Sequence, residues 1–156
     1  MITCTFEDGG KGTLRHVVFN AIAVKDNKVL LEKRAERLTE GGKWSLIGGF
    51  LNKDENIEQR VRREAFEETG YRINNLVLFR IIDNPKRRNE DRQTIAFVYT
   101  CEVGEKEGEP DDESTDIQWF DLENLPSEEE MAFDHLETIN LYLKYKKENT
   151  PLPIFG

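Results

Sequence analysis

The sequence predicts an α+β domain, an α/β/α sandwich in which helices flank a mixed β-sheet. Three observations carry this. RHVVFNAIAV (Arg15 to Val24) is a nearly continuous apolar run rich in β-branched residues and reads as a buried strand. Further short apolar segments follow it, separated by Gly-, Asn- and Asp-containing turns. Two stretches show helical spacing instead, one ending at Gly70 and one running from Phe133 to Lys147.

Taken in order, KDNK turns the first strand into VLLEKR by Asp/Asn turn chemistry. GGKWSLIGGF holds a short strand, Trp44 to Ile47, between glycine pairs. After the first helix come LVLFRII (Leu76 to Ile82) and TIAFVYTCEV (Thr94 to Val103), joined by a polar loop too long for a tight turn. EKEGEPDDEST is acidic and turn-rich, hence exposed, and DIQWF is a last short strand. The second helix is expected to begin near Ser127, with Leu136, Ile139 and Leu143 on one stripe. The termini read as short irregular tails around a core of residues 14–147, and the whole chain as one domain.

Bulk composition narrows the function. The net charge is -9, with 31 acidic against 22 basic residues, which argues against a general nucleic-acid binder. It leaves anionic small molecules open, because a bound divalent cation inverts the local field. MITCTFEDGG lacks the apolar core of a secretory signal, and no apolar run approaches the ~20 residues of a membrane span. Two cysteines, Cys4 and Cys101, are too few for a disulfide framework, so a reducing cytoplasm is the natural setting.

GGFLNKDENIEQRVRREAFEETGY, from Gly48 to Tyr71, is the informative stretch. Asn52 or Asp54 can cap the helix and Gly70 can end it, giving a span near Asn56 to Thr69. At about 100° per residue, Ile57, Val61 and Ala65 form the apolar stripe. Glu68 falls inside that stripe, Glu64 on its edge and Glu67 further round. A solvated helix places its glutamates opposite its apolar face, and this one does not. Partly buried carboxylates at i, i+3 and i+4 need compensation, either from Arg60, Arg62 and Arg63 or from a hard divalent cation.

Gly49, Glu55, Arg63, Glu64, Glu67, Glu68 and Gly70 match the spacing of the Nudix box, a 23-residue loop-helix signature. The chain resembles Nudix hydrolases from about Leu14 to Pro126, including LLEKR, GGKWSLIGGF and WFDLENLP. It departs from the usual pattern at Ile47, where many members have proline, and at Ala65 and Tyr71, where bulkier aliphatics are common.

The resemblance implies Mg²⁺- or Mn²⁺-dependent hydrolysis of a nucleoside diphosphate linked to another group. It assigns metal binding to Glu64, Glu67 and Glu68 with the Gly48 backbone, and a structural ion pair to Arg63 and Glu55, with Gly49 and Gly70 as structural glycines. The general base is Glu64 or, on the later acidic loop, Glu113. Arg34 is a candidate phosphate contact. IDNPKRRNEDRQTIAFVY and AFDHLETI are similar to segments of ADP-ribose pyrophosphatases, which marks Pro85, Arg92 and His135 for substrate, with Lys86, Arg87 and Arg88 beside them. A turn proline in a polar loop and a helix-surface histidine are the plain alternatives for Pro85 and His135. ADP-ribose is therefore the expected substrate type, with nucleoside triphosphates, oxidised ones included, as the alternative. A Nudix-fold regulator that binds nucleotide without cleaving it fits less well, because the box is intact, the chain is acidic and little follows WFDLENLP. Many ADP-ribose-type relatives are dimers, so a homodimer is an open expectation.

Overall fold

The computed structural model describes residues 1–90, 92–110, 112 and 114–156. Its strands are β1 (Ile2–Thr5), β2 (Lys11–Leu14), β3 (Val17–Lys25), β4 (Lys28–Arg34), β5 (Trp44–Ser45), β6 (Ile47–Phe50), β7 (Tyr71–Ile82), β8 (Ile95–Lys106), β9 (Ser114–Asp121) and β10 (Ile154–Phe155). The helices are α1 (Ile57–Thr69) and α2 (His135–Glu148). β3 is central: it runs parallel to β8 and antiparallel to β4 and β6. β7 continues beyond β8, while β9 and β5 pair with β4, giving one mixed eight-stranded sheet.

Alternation along β3 builds two cores. Phe19, Ala21 and Ala23 pack with Val61 and Ala65 of α1, whereas Ile22 packs with Ile139 of α2 on the other face. Burial on both faces is why the run shows no polar alternation. The Asp26–Asn27 turn takes positive φ at both residues (50° and 61°), the geometry of a tight two-residue hairpin. Among the described residues, no helix is long and apolar enough to cross a membrane.

Several boundaries differ from the sequence reading. Residues 2–14 form the β1–β2 hairpin rather than an irregular tail, and among the described residues its two strands pair only with each other. ITCT and KGTL are short and bury little, so they leave no periodic signal. The C-terminal tail supplies β10, parallel to β7. β7 begins at Tyr71 because Asn75 (φ 51°) absorbs a bulge in INNL, and its side-chain amide donates to Glu102 at 2.7 Å. Neither Asn52 nor Asp54 caps α1; Asn56 does, accepting from the Gln59 N–H at 3.0 Å while Gln59 accepts back from the Asn56 N–H. α2 begins at His135, preceded by turns from Ser127.

Candidate active site

Two glycines bring α1 against the sheet. Gly48 lies opposite Asn20 in the β3–β6 ladder, and a Cβ there would sit 2.4 Å from Asn20 Nδ2 and 2.5 Å from the Phe19 carbonyl. No larger residue fits without moving the strand. A Cβ on Gly49 would approach Glu64 Oε2 to 3.3 Å, which measures how closely the helix meets β6. At the other end, Gly70 takes φ 74° and its carbonyl accepts the Glu107 and Gly108 N–H groups.

The helix rotation expected from spacing is observed. Glu64 and Glu68 are buried, while the Glu67 side chain is 43% exposed. Glu68 accepts from the Gly48 N–H at 3.3 Å. Glu64 contacts Arg60 and lies 3.7 Å from Arg63. Glu67 instead turns outward to Arg63 at 3.0 Å. Arg63 also reaches Glu55 at 2.8 Å, so the anticipated Arg63–Glu55 pair is present, and Glu55 further accepts from the Asn52 N–H at 2.9 Å. Partial desolvation pushes the Glu55 carboxyl up, but the bonds from Arg63 and Asn52 outweigh it and hold it below the usual range. Donating to Glu55 in turn raises Arg63.

Glu64, Glu68, Gly48 and Gly49 line a cavity of about 390 Å³. Its walls also carry Asn20, Glu32, Arg34, Leu46, Arg60, Arg87, Glu90, Arg92, Phe133 and His135. Four glutamates (32, 64, 68, 90) thus face four arginines (34, 60, 87, 92), a balance that a bound divalent cation would tip toward anions. Oxygen donors are the right chemistry for such a cation. Among the described residues no group of three or more His, Cys, Asp or Glu side chains is drawn together in metal-holding geometry. Glu64, Glu68 and Gly48 meet at the cavity and Glu67 stays outside its wall.

The substrate candidates divide. Arg34 lines the cavity with its Nε bonded to the Thr39 carbonyl at 2.9 Å and its guanidinium 5.3 Å from the Phe133 ring. Arg92 lines it over Phe50 at 5.3 Å. Pro85 is exposed in a turn and does not reach the wall. The basic cluster around it is largely committed to structure: Arg88 pairs with Glu128, and Arg87 is buried, bonded to Asp134 at 3.0 Å and to Thr94 at 3.1 Å. Burial pushes Asp134 up, but the bonds and charge of Arg87 prevail and keep it below its ordinary value. Glu113 lies outside the described residues.

His135 is a correction to the helix-surface alternative. Residues 130–132 hydrogen-bond to Trp44 beside β5, which carries the start of α2 over the cavity and buries His135. Its Nδ1 accepts the Leu46 N–H at 3.0 Å. Burial pushes the imidazole down to about 3 and outweighs the upward pull of the Asp134 charge, with Arg87 and Arg34 adding to the downward push, so it is neutral.

Several wall residues were not placed by sequence reasoning, among them three polar side chains of β4, α1 and β3. Glu32, buried in β4, accepts from Ser45 Oγ at 2.7 Å and from Ser114 Oγ; its signal was an acidic residue inside an apolar strand. Arg60 was legible as the i−4 partner of Glu64 but its place in the wall was not. Asn20, in the middle of an apolar run, is the third.

A strand carrying two glycines and feeding a helix with two buried glutamates, on a mixed sheet between two helices, defines a hydrolase of the Nudix type. The NUDIX domain profile matches residues 14–142, and the chain belongs to that family. It is a Nudix-type pyrophosphohydrolase. The ADP-ribose pyrophosphatase of Methanocaldococcus jannaschii is 35% identical over 130 residues, covering 83% of this chain and 74% of that protein. The oxidized purine nucleoside triphosphate hydrolase of Danio rerio is 32% identical over 116 residues, covering 74% and 72%. A crystal structure of a NUDIX hydrolase from Nitrosomonas europaea superposes with a TM-score of 0.79 at 23% identity, covering 95% of this chain and 81% of that one, a likeness of fold.

Proposed function

We propose that the protein hydrolyses the pyrophosphate of ADP-ribose, or of a closely similar nucleoside diphosphate joined to another group, giving AMP and ribose 5-phosphate. The observation that carries this reading is the burial of Glu64 and Glu68 beside Gly48 on the wall that also holds Arg34 and Arg92. The 35% identity to an ADP-ribose pyrophosphatase supports the substrate class.

Glu64, Glu68 and the Gly48 backbone would hold Mg²⁺ or Mn²⁺, with Glu67 joining from the helix edge. Bound there, the cation neutralises phosphate oxygens and lowers the pKa of a water. Arg34 and Arg92 bind the two phosphates and orient them. Glu64 or Glu113 takes a proton from the attacking water; one phosphorus–oxygen bond forms, the bridging one breaks, and the leaving phosphate carries away the electron pair. Arg63 and Glu55 hold the loop before α1 in register with the helix. Pro85 shapes the 83–94 loop from outside the cavity.

A second reading has its own support in the 32% identity to a hydrolase of oxidised purine triphosphates: pyrophosphate release from a nucleoside triphosphate in the same cavity. Product analysis on the purified chain with Mg²⁺ or Mn²⁺ separates the two. AMP and ribose 5-phosphate from ADP-ribose, with little turnover of a triphosphate panel including 8-oxo-dGTP, bears out the proposal. Pyrophosphate from a triphosphate, with ADP-ribose untouched, replaces it by the second reading. Nucleotide binding without turnover of either, with the fold intact, would overturn both.

A further inference from the structure

We infer that His135 is a recognition residue that donates one hydrogen bond, from Nε2–H, to a ring nitrogen or carbonyl oxygen of the nucleobase. This rests on the reading of the cavity as a nucleotide site.

The geometry sets the tautomer. Nδ1 accepts the Leu46 N–H, so in the neutral ring the proton sits on Nε2. No described residue hydrogen-bonds Nε2, and Nε2 is not among the fully enclosed unpartnered atoms, of which Arg80 Nε is the one case in the described residues. His135 lines the cavity, so its remaining donor is directed to whatever fills that space. The donor is held firmly, because α2 starts at this residue and the ring packs edge-on to Phe133 at 5.5 Å.

The surroundings select the acceptor. A neutral imidazole has no charge to offer a phosphate, and Arg34 and Arg92 on the same wall do. Phe133 and Leu46 flank His135 with flat and apolar surface, which suits a planar heterocycle. A few fixed polar groups in such a wall are what orient a ligand.

Gln can take both roles of the imidazole, its carbonyl accepting the Leu46 N–H and its amide donating to the ligand; Phe can take neither. Binding of AMP and of ribose 5-phosphate to the folded wild type, His135→Gln and His135→Phe is measured by calorimetry. The expected result is an AMP affinity lowered about 3- to 10-fold in His135→Phe and largely restored in His135→Gln, with ribose 5-phosphate unaffected. Should His135→Phe fail to fold, the ¹⁵N signal of Nε2 in the wild type serves instead: AMP shifts it and ribose 5-phosphate does not. An Nε2 signal indifferent to bound AMP, or moved only by ribose 5-phosphate, overturns the assignment. If wild type binds neither ADP-ribose nor AMP, the nucleotide-site reading fails first, and the two failures are thereby told apart.

Discussion

Arg63 Nη2 lies 2.8 Å from Glu55 Oε2, across the loop that joins β6, the strand of Gly48 and Gly49, to α1. The same guanidinium holds Glu67 at 3.0 Å, so one side chain ties loop and helix together. Lys has one compact charge and cannot span both carboxylates. Because Arg63 is 44% exposed, Arg63→Lys should cost stability well under about 1 kcal/mol. It should nonetheless lower kcat/KM by about 10-fold or more, since a small misplacement of reacting groups is enough for that. Urea melts and steady-state kinetics on one preparation check both halves; unchanged kinetics would remove Arg63 from the positioning role.

The burial difference among the box glutamates orders their effects. Glu68→Gln and Glu64→Gln should each lower divalent-dependent turnover by about 100-fold or more with circular dichroism unchanged, and Glu67→Gln should do less. Chelation of divalent ions should abolish turnover reversibly in the wild type. Glu68→Gln with wild-type rates would sink the metal assignment.

Gly48→Ala places a methyl group against Asn20 Nδ2 and the Phe19 carbonyl, both nearer than 2.6 Å. One of those is main chain and cannot yield cheaply. The expected loss is about 1–3 kcal/mol of unfolding free energy, with activity falling as β6 moves away from α1. A denaturant midpoint within error of wild type would mean the strand relaxes freely.

Stability should decline on mild acidification. His135 is held at about 3 in the fold against 6.5 in a free chain, so the unfolded state binds the extra proton. Its contribution is fully present above about pH 6.5 and is lost as pH falls toward 3, at a slope approaching about 1.4 kcal/mol per unit. Unfolding free energies at pH 7, 6 and 5 should therefore fall more steeply for wild type than for His135→Gln. Parallel slopes would show that the ring protonates without leaving its place.

The chain's own letters determined the domain class, the burial of β3, the Asp26–Asn27 turn and the loop-helix carrying the glutamates. They also determined that Glu64 and Glu68 turn inward while Glu67 does not, because helical rotation is a local property of 3.6 residues per turn. The Asn56 cap was written there too, in Asn-x-x-Gln, though earlier polar residues competed for the same role. Tertiary structure decided what local pattern cannot encode. β1, β2 and β10 are short strands held by hydrogen bonds to their partners, with no apolar stripe of their own to announce them. Pro85 and His135 were both candidates for substrate from sequence, and packing separated them: contacts between 130–132 and Trp44 carry His135 to the cavity, while Pro85 stays exposed outside its wall. The charge on Arg87 was plain in the sequence, but that Asp134, 47 positions away, consumes it was a fact of packing alone.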